Sequence, residues 1–125
     1  MDNNNSQILI YQTEDGQTKI DVRLQDETVW LTQRMLAELF QTTPQNITLH
    51  LKNIYQEGEL QEDRTCKDFL QVQREGTRTV QRQVNYYNLD AIISVGYRIQ
   101  SHVATRFRQW AAYSRIHCQR FRVGR

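Results

Sequence analysis

TQRMLAELFQTTPQNITLHLKNIY, Thr32 to Tyr55, is the stretch around which the rest of the chain is organised. Thr32 is a good N-cap for a first helix, since its hydroxyl accepts from the N–H groups that a helix start leaves open. Leu36, Ala37, Leu39 and Phe40 follow at helical spacing as one apolar stripe. Gln41, Thr42 and Thr43 interrupt that stripe. Thr43 then caps a second helix, and Pro44, the only proline, takes its first position, where its missing N–H costs nothing and its φ is preset. Ile47, Leu51 and Ile54, flanked by Leu49 and Tyr55, give this helix its apolar face.

Two short helices joined by three or four residues cross steeply, which is the helix-turn-helix geometry. The second helix is then free to lie in a DNA major groove. Gln41 stands where such turns often carry glycine. The exposed early face of the second helix is expected to be Thr43, Gln45, Asn46, Thr48, Leu49 and Lys52. Gln and Asn pair bidentately with adenine, and Thr and Leu touch the thymine methyl. Periodicity alone fits a helical hairpin packed into a core equally well.

The chain has 125 residues, 38% hydrophobic and 24% charged, enough for one domain with a real core. No apolar run reaches the roughly 18 residues of a membrane span, and no basic-then-apolar leader is legible. Cys66 and Cys118 lack CxxC spacing, so a reduced, cytoplasmic protein is the expectation. Residues 1–63 hold four Lys/Arg against eleven Asp/Glu, a net of −7. Residues 64–125 hold twelve against three, a net of +9, and eleven of the twelve are arginine. Arginine's fork suits phosphate oxygens. This asymmetry suits double-stranded DNA, with shape and base contacts from the first half and phosphate contacts from the second. It also suits two halves that attract each other, within one fold or across a homodimer.

Met1 to Ser6 reads as loose. Gln7 to Gln12, Lys19 to Leu24 and Val29 to Leu31 read as a small antiparallel meander. It turns at Glu14-Asp15-Gly16 and at Gln25 to Glu27. Ile20, Val22 and Leu24 alternate with Lys19, Asp21 and Arg23, the period of a half-buried strand. Gly58 is placed to end the second helix in a left-handed cap, and the acidic run Glu57, Glu59, Glu62 and Asp63 reads as a solvated loop. Phe69 to Arg74 and Thr79 to Tyr87 read as a hairpin joined by Glu75 to Arg78. Arg74, Arg78 and Arg82 fall near its tip. An arginine-tipped hairpin after a helix pair has the form of a winged-helix wing, which runs along the backbone or into the minor groove. A surface hairpin kept soluble by its arginines has the same sequence. Tyr86-Tyr87 are aromatics able to stack on bases, or a pair split between the core and its edge.

Asn88 caps a third helix, Leu89 to Arg98, with Leu89, Ile92, Ile93 and Tyr97 as its buried face and Gly96 for close packing. Ser101 caps a fourth, His102 to about Tyr113, with Val103, Phe107, Trp110 and Ala111 as its stripe. There is no phosphate-binding glycine loop, no nucleophile elbow and no zinc spacing around His102, His117, Cys118 and Cys66. No enzyme activity, metal, cofactor or small-molecule substrate is expected.

Two blocks together carry a resemblance: VWLTQRMLAELFQTTPQNITLHLKNIYQEGEL, Val29 to Leu60, and YYNLDAIISVGYRIQSHVATRFRQWA, Tyr86 to Ala111. In this order and spacing they resemble the amino-terminal part of the RhuM family of bacterial virulence proteins, found in genomic islands and prophage-like regions. The second block also loosely resembles the end of BRO-N-type phage antirepressor domains, through Ala104, Phe107 and Trp110. The RhuM resemblance covers roughly residues 18–111. It implies a DNA-binding role with no enzyme activity to carry over. Members usually continue the last helix through a segment resembling RLREYIVKGF and a long further part, whereas this chain reads AYSRIHCQRFRVGR.

The expectation is therefore an α+β, winged-helix-like DNA-binding domain over residues 1–111. It comprises a β meander, a helix-turn-helix, a hairpin wing and two further helices. Residues 112–125 form a divergent tail, read as out-of-frame sequence of a truncated chain. The alternatives are a non-catalytic, antirepressor-like protein-interaction module or a non-functional remnant.

Overall fold

β1 (Gln7–Gln12), β2 (Lys19–Gln25) and β3 (Thr28–Thr32) form an antiparallel meander that runs directly into α1 (Gln33–Leu39) and α2 (Pro44–Gln56). A short α3 (Glu62–Thr65) leads to β4 (Cys66–Glu75), β5 (Arg78–Asn88), α4 (Leu89–Ile99) and α5 (Ser101–Val123). This computed structural model describes residues 7–13 and 15–123, with side chains as far as Ser114. The expectations for residues 1–6, for Glu14 and for the side chains of His117 and Cys118 lie outside the described residues.

The chain is α+β, with one five-stranded antiparallel sheet in the order β1-β2-β3-β5-β4. Its alternation is the one the sequence predicts. Ile20, Val22 and Leu24 are buried toward the helices, with Val29, Leu31 and Tyr87 on the same face. Leu36, Ala37, Leu39 and Phe40 of the first helix and Ile47, Leu51 and Ile54 of the second pack there. Fully burying such a side chain stabilises by about 1.5–3 kcal/mol. Phe107 and Trp110 of α5 close the layer against Tyr11 of β1, each ring 5.1 Å from the tyrosine ring.

The caps hold as read. Thr32, Thr43 and Asn88 accept, through their side chains, the N–H of Met35, Asn46 and Ala91. Gly58, at φ +77°, terminates α2, and Glu59 N–H returns to Ile54 O at 3.1 Å. Gln41 does adopt the left-handed conformation (φ +56°) that glycine would supply, with its amide donating to Thr18 Oγ1 at 3.0 Å.

Four elements differ from expectation. The acidic run is not all loop, because Glu62 and Asp63 open α3, where carboxylates suit a helix start. The hairpin strands are longer than read, and only Gly76 and Thr77 separate them. Gly76 at φ +65° in the first turn position permits so tight a connection. In α4 the buried set is Ala91, Ile92, Val95 and Gly96, while Tyr97 is exposed. Ser101 lies inside α5 and Gln100 precedes it, accepting from Val103 and Ala104; the α5 backbone continues to Val123.

On the opposite sheet face, Trp30, Phe69 and Tyr86 meet edge to face at centroid distances of 5.4 and 5.3 Å. The Arg23 guanidinium lies 4.5 Å over the Phe69 ring. Tyr86 and Tyr87 are thus buried on opposite faces, at 4% and 5% exposure, and neither ring presents a surface for base stacking.

Candidate nucleic-acid interface

The early face of α2 divides by what its side chains already do. Thr43 Oγ1 serves as the cap. The Asn46 amide donates one of its two N–H groups to Thr42 Oγ1 at 2.9 Å, which fixes the orientation of the side chain. The Thr48 hydroxyl faces Pro44 O at 3.0 Å and Gln33 Oε1 at 3.2 Å. Gln45, Leu49 and Lys52 extend into solvent, with Leu49 53% exposed.

A polar chain that the sequence reading missed ties this face to the base of the hairpin. Gln33 Nε2 donates to the Tyr87 hydroxyl at 3.3 Å while its Oε1 meets Thr48. The Tyr87 hydroxyl in turn bonds the Cys66 thiol at the start of β4. Burial pushes Tyr87 up to about 12, and burial likewise raises the Cys66 thiol. Nothing in the pattern of a half-exposed Gln in the first turn of α1 signals this bridge.

The three hairpin arginines do not form one cluster. Register places Arg78 opposite Glu75 and Arg82 opposite Gln71 on one face of the ribbon, and Arg74 opposite Thr79 on the other. Arg82 is committed, its Nε and Nη2 donating to Glu75 Oε2 at 2.9 and 2.8 Å. Arg74 and Arg78 are exposed. Arg74 shares its face with Tyr87, the face turned toward the helices. Because β3 stops at Thr32, a cleft of about 1090 Å³ opens between the hairpin, β2 and α1. Lys19, Arg34, Gln71, Arg74 and Asn85 are among its walls. Exposed Arg34, in the first turn of α1, is a cation at this rim that the sequence reading did not single out.

The acidic residues have structural duties elsewhere. Glu59 accepts from Ser94 Oγ at 2.7 Å and from Arg98 at 2.8 Å, and Arg98 also meets Glu57 at 2.9 Å. The Ser94 bond, then the Arg98 guanidinium, holds the Glu59 carboxyl below the usual carboxylate range. Among the described residues no group of three or more His, Cys, Asp or Glu is placed to hold a metal. No described helix is long and apolar enough to cross a membrane.

No curated protein and no solved structure matches the chain. The model of the virulence protein RhuM family matches residues 64–117, which span β4, β5, α4 and much of α5. That span contains the block Tyr86 to Ala111, runs six residues past Ala111, and leaves the block Val29 to Leu60 outside it. Over residues 64–117, the chain is RhuM-like.

Proposed function

We propose that the chain is a sequence-specific, double-stranded-DNA-binding domain of a RhuM-like regulator, without catalysis. In this reading α1 and α2 are a helix-turn-helix, α2 lies in the major groove, and the β4–β5 hairpin is a wing on the backbone. The observation that carries it is the bridge from Thr48 through Gln33 to Tyr87. It ties α2 to the base of the hairpin, on the ribbon face that also bears Arg74 further toward the tip. Gln45 and the Thr48 methyl would read base edges, with Leu49 against a thymine methyl. Lys52, Arg78 and Arg34 would contact phosphates. Thr43, Asn46 and Arg82, engaged within the protein, would position these groups rather than reach out.

Titration of a labelled duplex with the purified chain at several salt concentrations tests this. About six phosphate contacts give a log–log slope of about −5. A folded chain that fails to bind at low salt would reject the DNA reading. It would favour the antirepressor-like interaction module, for which the exposed Leu49, Leu70 and Val72 are the observation in support.

A further inference from the structure

β4 is one of the two edge strands of the sheet, β1 being the other, and at ten residues it is long for an edge strand. Such edges present unpaired N–H and C=O groups that template another strand, and proteins usually blunt them. Here Leu70 and Val72 are 55% and 62% exposed on one face of the strand, between Asp68 and Arg74. Neither Asp68 nor Arg74 has an ion-pair partner among the described residues.

We propose that β4 pairs antiparallel with β4 of a second copy of this chain, about a twofold axis through Gln71. Two antiparallel strands of one sheet are related by an axis perpendicular to the sheet. Residues that face each other therefore lie on the same side of the pleat, which places the axis at a residue and never between two. With the axis at Gln71, Asp68 faces Arg74, Leu70 faces Val72, and Lys67 faces Glu75, each pair occurring twice. Moving the axis to Leu70 sets Asp68 against Val72, and moving it to Val72 sets Leu70 against Arg74. Only the Gln71 axis of these three matches opposite charges and apolar side chains together, the cross-strand pairings that stabilise a sheet.

Lys67 and Glu75 already have partners, Asp26 and Arg82, each at 2.8 Å. The specificity thus rests on the Asp68–Arg74 and Leu70–Val72 pairs. The product is a continuous ten-stranded sheet in which each copy covers the other's open edge. It assigns Arg74 to self-association. The surface does not depend on the DNA reading.

Sedimentation of the full chain without DNA tests the proposal. The parent is expected at twice the chain mass of 15.0 kDa. Asp68→Arg sets like charges opposite Arg74 at both ends of the ladder, and Arg74→Asp does the same opposite Asp68. Each variant is expected to fall to 15.0 kDa with its circular dichroism unchanged. In an equimolar mixture of the two variants every such position again meets its opposite charge, and the dimer mass returns. A parent that stays monomeric at its highest soluble concentration, single variants that dimerise like the parent, or a mixture that stays monomeric overturns the proposal. Should a single variant fail to fold, the double variant D68R/R74D decides in its place. Its dimer supports the pairing and its monomer rejects it.

Discussion

Gly96 of α4 lies so close to Phe40 that a Cβ built on it would fall 2.5 Å from the ring Cζ and 2.6 Å from the Ala104 Cβ. Phe40 is fully buried and has nowhere to go. Gly96→Ala should therefore destabilise by about 1–3 kcal/mol through overpacking, despite alanine's better helix propensity. Urea denaturation measures it, and a midpoint equal to or above the parent's would contradict this packing.

Gln33 joins Thr48 to Tyr87 with one amide group. Gln33→Ala should cost about 1 kcal/mol of stability, the usual net worth of such partly exposed bonds. In the DNA reading it should also reduce discrimination between matched and mismatched duplexes more than it reduces binding to random sequence. Equal losses on both would remove the bridge from the recognition account.

Gln45 and Arg78 have different expected roles. Gln45→Ala should relax base preference, while Arg78→Ala should weaken binding to all sequences and flatten the salt slope by about one unit per lost phosphate contact. A salt slope for Arg78→Ala indistinguishable from the parent's would remove the hairpin tip from the interface.

Glu59 carries a pH signature. Its carboxyl is held down in the fold by Ser94 and then Arg98. A depressed carboxyl contributes stability that is present above its unfolded value and lost as pH falls through its folded one. Ser94→Ala should lower the urea midpoint at neutral pH, with the difference closing as pH falls below the ordinary Glu value and through the lowered one. A difference that persists at low pH would place the effect of Ser94 elsewhere.

Cys66 should be a slow thiol. Burial first, and then the nearby Glu62 and Asp68 carboxylates, raise it against the lowering bond from Tyr87. In a Cys118→Ser background, alkylation at about pH 8 should run several-fold slower than for an unfolded control, because the thiolate is the nucleophile. Matching rates in native buffer and in urea would show the thiol to be unperturbed.

Much of the fold was legible because the strong signals are local. Thr32, Thr43 and Asn88 each sit just ahead of a stretch of helical apolar spacing, one residue before the helix begins, and all three cap. The alternation from Lys19 to Leu24 fixes the buried face of β2. What escaped depends on partners far along the chain. In α4 the reading of Leu89, Ile92, Ile93 and the closely packed Gly96 holds, but Val95 is buried in place of Tyr97, because which neighbouring position faces the core is set by partners outside the helix. Arg82 looked like a phosphate contact until hairpin register brought Glu75 within reach. The bond from Asn46 to Thr42 depends on how the turn folds back, which helical spacing does not report.

The early end of β3 at Thr32 has a consequence for how the molecule opens. From Arg78 to Asn85, β5 has only β4 as a ladder partner, whereas Tyr86 and Tyr87 are held on both sides. A two-stranded ribbon is marginal by itself in water. In the monomeric chain the outer hairpin is therefore a separate opening unit with a free energy below that of global unfolding. Among the β5 amides that donate to β4, exchange should be progressively slower from the hairpin tip toward Tyr86 and Tyr87, a gradient along a strand that looks uniform in its backbone.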